Sequence, residues 1–151
     1  MSKDPVAAES ATADRITVRA WPDPLLERFG FDPRSEYVET FWLGILGPST
    51  TWLLRRLAAC LDDAPDGFEL PLDETARRLG LAHKGGRHSP FARSLVRLCT
   101  FGLAQAPEQG VLVVRRHVPP LTQKQIVRLS PELQAAHALW VASNAGAAKA
   151  P

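Results

Sequence analysis

A short extended segment, a helix, a polar loop, a second helix and a β-hairpin follow one another in the middle of the chain. Phe68–Leu72 is short and extended, and Asp73 begins a segment whose helical spacing continues to Leu79. Gly80 supplies the left-handed residue that commonly ends a helix. Ala82–His88 is polar and rich in glycine, which predicts a loop.

The second helix begins with a strong start signal and is followed by two β-prone runs. Ser89 is a good N-cap, and Pro90 suits the first helical position. The helical pattern continues to about Phe101. Leu103–Ala106 and Val111–Val118 are β-prone, and the four residues between them have the composition of a hairpin loop. The predicted fold class is therefore α+β and mostly α.

This order of elements resembles the winged helix-turn-helix superfamily over residues 50–118. The similarity is closest at residues 72–81, LDETARRLGL, where an acid lies near the helix start and glycine opens the turn. The loop before Ser89 is longer than the usual tight turn between the two helices. The resemblance implies a winged-helix core that binds double-stranded DNA, with additional N-terminal helices and a C-terminal helix.

The residues before this core predict one strand and two helices. Ile16–Trp21 alternates apolar and polar residues, which is typical of a short strand. Ser35–Leu46 has apolar residues at helical spacing, and Gly47-Pro48 ends that helix. Ser49 is predicted to cap a second helix that continues through Leu61. The predicted buried stripe of this helix consists of Trp52, Leu53, Leu57 and Cys60.

After the hairpin, two cap signals predict two further helices. Thr122 and Gln125 have the spacing of a capping box, and Ser130-Pro131 repeats the cap-then-proline pattern. The last helix either folds back on the core or pairs with a second copy through Leu133 and Trp140, which would then form a homodimer interface. Residues 15–143 are predicted to form a single domain, and residues 1–14 and 144–151 are predicted to be disordered tails.

The charged residues are unevenly distributed along the chain. Residues 1–74 contain 14 of the 16 acids but 7 of the 18 bases, a net charge of −7, whereas residues 75–151 have a net charge of +9. Six Lys or Arg residues and no acid lie between residues 75 and 107. A basic run of this kind in a helix–loop–helix can neutralise several phosphates, so it favours a nucleic-acid partner.

The helix after Ser89 is predicted to enter the major groove. Its apolar residues form one stripe, which leaves the opposite face to polar and basic side chains. Arg93 and Arg97 are four residues apart, so both project from that face, where Arg can bind guanine O6 and N7. The predicted base-reading face consists of Arg93, Ser94, Arg97 and Thr100.

Two further segments are predicted to contact phosphate. Adjacent glycines and a helix N-terminus favour close approach of an anion to the loop before the helix. The loop residues predicted to bind phosphate are Lys84, Arg87, His88 and Ser89. On the hairpin, Arg115 and Arg116 point to opposite sides of a strand, so at most one of them contacts the same DNA.

Other classes of protein lack a signal in the sequence. The four histidines and two cysteines have no metal-ligand spacing, Ser49 lacks a nucleophile elbow, and no catalytic constellation is present. Cys60 and Cys99 are predicted to be buried free thiols, as in a reducing compartment. No signal peptide or membrane-length apolar segment is present. We therefore expect a cytoplasmic protein that is not an enzyme and has no cofactor and no membrane partner.

The favoured hypothesis is a double-stranded DNA-binding protein, a transcriptional regulator or nucleoid-associated factor that binds as a homodimer. Neutralisation of about six phosphates predicts that log K falls with log salt at a slope of about −5. The alternative is a winged-helix module that binds other proteins and no DNA, since the acidic half of the chain offers a surface to a basic partner.

Overall fold

The computed structural model describes residues 15–84 and 86–149, with side chains as far as Asn144. Its four-stranded mixed sheet has the order β2-β1-β4-β3. Strand β1 pairs antiparallel with β2 and parallel with β4, and β3 and β4 form the predicted hairpin. The strands are β1 (Arg15–Trp21), β2 (Phe68–Pro71), β3 (Ala104–Gln105) and β4 (Val111–Arg115).

Seven α-helices surround this sheet in the described part of the chain, and they confirm the predicted α+β class. A π-helical segment, Val38–Trp42, precedes the second of them, and a short 3₁₀ turn, Gly86–His88, precedes the fifth. The helices are α1 (Pro24–Phe29), α2 (Leu43–Leu46), α3 (Pro48–Asp63), α4 (Leu72–Arg78), α5 (Pro90–Thr100), α6 (Gln123–Ile126) and α7 (Pro131–Lys149).

The junction between α2 and α3 differs from the prediction. Gly47 has a φ of 84°, a conformation that side-chain-bearing residues rarely adopt, and it is the N-cap of α3. Pro48 therefore occupies the first helical turn, and Ser49 lies inside the helix instead of capping it. The chain reverses here without a loop, which brings the end of α2 beside the start of α3.

The core lies between α3, α5 and the sheet. Leu53 and Leu57 of α3 pack with Phe91 and Leu98 of α5, and all four are fully buried. Trp52 was predicted to belong to the same stripe, but 59% of its surface is exposed. The buried face is centred on leucines one and five positions further along, so the helical turn directs Trp52 away from it.

The C-terminal helix folds back onto the core. The capping box at Thr122 and Gln125 is present, and the Ser130 hydroxyl accepts a hydrogen bond from Leu133 N, as predicted. Helix α7 continues to Lys149, so it extends into the segment 144–151 that is predicted to be a tail. The predicted tail at residues 1–14 lies outside the described residues.

Two further properties of the described residues bear on the sequence predictions. Cys60 and Cys99 are free thiols and half-buried, and burial raises the pKa of Cys99. None of the helices in residues 15–84 and 86–149 has both the length and the apolar character that crossing a bilayer requires.

Candidate nucleic-acid interface

Helix α5 presents one arginine side chain freely to solvent. Arg93 is exposed, and no carboxylate of the described residues lies within ion-pair distance of it. Thr100 is also exposed, and its hydroxyl donates to the Val96 carbonyl 3.1 Å away. Both side chains remain on the predicted base-reading face.

Ser94 is not on that face. Only 5% of its surface is exposed, because it falls between Phe91 and Leu98 on the buried stripe. Spacings of three, four and seven residues place these three side chains on one side of the helix. Ser94 therefore exposes little surface for the predicted base contact, although it is among the residues that line the groove beside α5.

Arg97 is held by the protein itself. Its guanidinium donates to the carbonyls of Leu46 (2.8 Å) and Ile45 (3.0 Å), and it lies 5.2 Å from the centre of the Phe101 ring. These carbonyls end helix α2, where no later turn supplies amide donors. Arg97 therefore caps a neighbouring helix, and its predicted role as a base reader is corrected to a structural one.

The turn before α5 contains exposed side chains and one buried helix-capping residue. Lys84, Arg87 and His88 are exposed, whereas Ser89 is 2% exposed. The Ser89 hydroxyl accepts from Ala92 N (3.1 Å) and pairs with His83 Nδ1 (3.2 Å). The predicted cap is confirmed, and because it occupies the hydroxyl, the predicted phosphate contact from Ser89 is wrong. Gly85, the first of the two loop glycines, lies outside the described residues.

An open groove of about 630 Å³ lies between α5 and the N-terminal turn of α3. We call it the α5 groove. Arg87, Arg93 and Arg97 line one side, and Pro48 and Ser49 line the other. No aspartate or glutamate is among its lining residues. The N-terminus of a sixteen-residue helix adds partial positive charge, so the electrostatics of the groove favour an anion.

Arg115 on the hairpin is half-buried and has partners in the N-terminal segment and in the turn after α5. It pairs with Asp23, donates to the Gly102 carbonyl (2.8 Å) and stacks 3.7 Å from the centre of the Trp21 ring. A hydrogen bond from Leu26 N and the Arg115 guanidinium lower the pKa of Asp23, so this pair is ionised at neutral pH. The predicted phosphate contact from Arg115 is therefore wrong.

Arg116 is also paired within the chain, although more weakly. Its guanidinium lies 3.3 Å from Asp62, which also lies 2.6 Å from Arg34. The Arg34 guanidinium is the main cause of the lowered pKa of Asp62. Because Asp62 neutralises part of its charge, Arg116 is a poorer phosphate ligand than the sequence predicted.

The residues predicted to form the homodimer interface lie against the core of their own chain. Leu133 and Trp140 are half-buried, and the Trp140 ring centre lies 4.8 Å from Tyr37 and 5.3 Å from Phe31. Of the two possibilities that the sequence left open, the structure shows that α7 folds back. Leu133 and Trp140 therefore pack within their own chain, and the homodimer stays a prediction.

Two features of helix α3 were missed from the sequence, namely its start beside α5 and a second exposed face outside the α5 groove. Gly47-Pro48 was treated as the end of one helix, whereas it also begins the next one beside α5. Trp52, Arg55, Arg56 and Ala59 have the spacing of a second helical face, and that spacing was visible in the sequence.

Comparison with known proteins identified no match. No family model, no curated protein and no solved structure matches it. In the described ranges, no group of three or more His, Cys, Asp or Glu residues has the arrangement of a metal site.

Proposed function

We propose that this protein binds double-stranded DNA through helix α5, as a transcriptional regulator or nucleoid-associated factor of the cytoplasm. The observation that supports this most directly is the α5 groove, where Arg87 and Arg93 meet the start of α3 without any acidic residue in the lining. The order α3, β2, α4, α5 and the β3–β4 hairpin is consistent with a winged-helix core, which is part of the proposal.

In this proposal Arg93 reads a base, and three exposed side chains of the adjoining turn contact phosphate or flank it. Arg93 is the exposed arginine of α5 that keeps its guanidinium free of protein partners among the described residues. Lys84, Arg87 and His88 lie on the adjoining turn and are exposed. Since Arg97 and the hairpin arginines are used internally, fewer phosphates are neutralised than the sequence suggested.

The salt dependence of binding tests the proposal. With phosphate contacts from Lys84 and Arg87, log K on mixed-sequence duplex is expected to fall with log salt at a slope of about −2. Fluorescence anisotropy at several salt concentrations between about 50 and 200 mM measures this slope. Absence of binding at the lowest salt concentration would overturn the proposal.

Arginine variants test which residue reads sequence. At a site selected from random duplexes, Arg93→Ala is expected to weaken binding by about 1–3 kcal/mol, and by less on unselected DNA. Arg28→Ala removes the same charge from α1, away from the groove, and is expected to leave both affinities unchanged. Equal losses of affinity on selected and unselected DNA would show that Arg93 contacts the DNA backbone and not a base.

A protein-binding module is the second candidate function. It is favoured by the internal use of Arg97, Arg115 and Arg116, which reduces the cationic surface offered to DNA. Helix α1 also exposes Leu25 and Phe29, whose surfaces are 66% and 64% accessible. A wild-type protein that binds no duplex at low salt would favour this function.

A further inference from the structure

The outer face of helix α3 combines an exposed indole with arginine side chains. Trp52, Arg55, Arg56 and Ala59 lie at positions i, i+3, i+4 and i+7, so they share one side of the helix. The opposite side holds the buried leucines, which means that core packing does not explain Trp52. Its 59% exposure is large for a tryptophan, a residue that is usually well buried.

This face lines a second groove, of about 590 Å³, which we call the Trp52 groove. Four arginines and no acid are among its lining residues. Arg34, Arg55 and Arg78 have carboxylate neighbours outside the lining, the one for Arg55 being Glu39 at 3.8 Å. Arg56 has no such neighbour among the described residues. The full lining is Arg34, Pro48, Ser49, Trp52, Arg55, Arg56, Ala59, Arg78 and Leu79.

The chemistry of the Trp52 groove suits a nucleotide unit. The Arg55 guanidinium lies over one face of the Trp52 indole, 5.0 Å from the ring centre, so stacking of a base uses the opposite face of this exposed side chain. An unpaired base can stack on such a surface, whereas a base inside a duplex has no free face. The neighbouring arginines can bind the phosphate of the same nucleotide.

The two grooves meet at the start of α3. Pro48 and Ser49 line both of them, so a strand leaving the α5 groove enters the Trp52 groove without passing an acidic lining residue. We propose that the Trp52 groove binds an unpaired nucleotide of a DNA strand whose duplex part lies in the α5 groove. This inference rests on the proposed function and narrows its substrate to duplex with an adjoining single-stranded segment.

The test compares three kinds of labelled DNA by fluorescence anisotropy. They are a blunt duplex, the same duplex with a short oligothymidine extension (made in two versions, at a 5′ end and at a 3′ end), and the extension strand alone. For the wild type, an extension of one polarity is expected to tighten binding by about 5- to 100-fold over the blunt duplex, the range expected for stacking of one base.

Variants assign the gain to the indole. Trp52→Ala is expected to abolish the gain from the extension and leave binding of the blunt duplex unchanged, whereas Trp52→Phe keeps part of it. Phe29→Ala removes a similarly exposed aromatic side chain from α1 and is expected to keep the full gain. Circular dichroism of each variant checks that the fold is retained.

The outcomes separate this inference from the proposed function. Binding of blunt duplex with no gain from either extension overturns the inference and leaves the proposed function standing. Equal weakening of blunt and extended DNA by Trp52→Ala also overturns it, because Trp52 then acts on the duplex or the fold. Failure of the wild type to bind any of the three DNAs overturns both.

Discussion

At the scale of single residues, Arg97 joins two helices that are distant in sequence. Its planar guanidinium donates in parallel to two carbonyls at the end of α2, and its alkyl stem crosses the side of α5 to reach them. Such a fork satisfies backbone acceptors that would otherwise depend on water. The same contacts hold one wall of the α5 groove at a set distance from the other.

Removal of this cap is expected to lower stability. Arg97→Ala should reduce the free energy of unfolding by about 1–2 kcal/mol, less than for a buried charged hydrogen bond because the side chain is exposed to water. Arg97→Lys retains the charge but not the fork, so we expect it to recover less than half of the loss. Urea denaturation measures both changes.

The matched control for this prediction is the neighbouring arginine. Arg93→Ala removes an exposed side chain without protein partners and is expected to change stability by less than about 0.5 kcal/mol. If the two alanine variants are equally stable, the cap contributes nothing measurable and Arg97 is again available to DNA.

At the scale of elements, one buried polar cluster fixes helix α7 to the rest of the fold. The Tyr37 hydroxyl accepts from Leu121 N and is hydrogen-bonded to His137 Nε2, both at 2.9 Å. The hydroxyl can donate to an unprotonated Nε2 or accept from a protonated one, so this contact fits either tautomer. Burial lowers the pKa of His137 below its ordinary value of 6.5, which favours the neutral ring.

Protonation of His137 is therefore expected to weaken the fold. Well above pH 6.5 the contribution of the neutral ring is fully present, and as the pH falls through 6.5 the unfolded chain takes up the proton first, so stability decreases. We expect the free energy of unfolding to decline between about pH 7.5 and pH 5.5. His137→Gln should flatten this decline, which urea titrations at each pH measure.

His88 supplies the control for this pH dependence. It is exposed on the turn before α5, so His88→Gln is expected to leave the slope of stability against pH as in the wild type. A His137→Gln variant with the wild-type slope would assign the pH dependence to other groups.

Elements with local start signals were predicted well, and those shaped by packing were not. The caps at Ser89, Thr122 and Ser130 form as predicted because each involves atoms three residues apart. The π-helical turn at Val38–Trp42 had no such signal, since it inserts one residue into a regular helical pattern. This segment packs against α7 through Phe41 and His137, and its Trp42 indole donates to the Pro119 carbonyl.

At the scale of the whole molecule, the N-terminal strand lies in the middle of the sheet. Strand β1 lies between β2 and β4. The N-terminal segment therefore joins strand β2, which follows the first helices, to the β3–β4 hairpin. Two ion pairs strengthen this connection, Asp23 with Arg115 and Asp62 with Arg116. The acidic and basic halves of the chain therefore neutralise part of each other's charge within one molecule.

A proline in β1 is expected to disrupt the whole fold. Thr17 N donates to the Gly110 carbonyl at 2.8 Å, and proline has no hydrogen to donate. Thr17→Pro should abolish the cooperative unfolding transition. Thr17→Ala keeps the backbone bond and loses only the exposed hydrogen bond to Glu69, so we expect a cost below about 1 kcal/mol. A cooperative transition in the proline variant would show that β1 is dispensable.

Local chemistry was enough to predict the helices around residues 72–78 and 90–100, the hairpin after them and the helix caps, because these depend on neighbouring residues. The sequence also identified Arg87 and Arg93 as exposed cations. Tertiary contacts alone decided that Arg97, Arg115 and Arg116 have internal partners, that Ser94 and Ser89 are buried and that Trp52 is exposed. The reason is that the fold brings these arginines near partners that are distant in sequence. Leu46, Asp23 and Asp62, which bind Arg97, Arg115 and Arg116 respectively, lie 51 to 92 residues away from them along the chain.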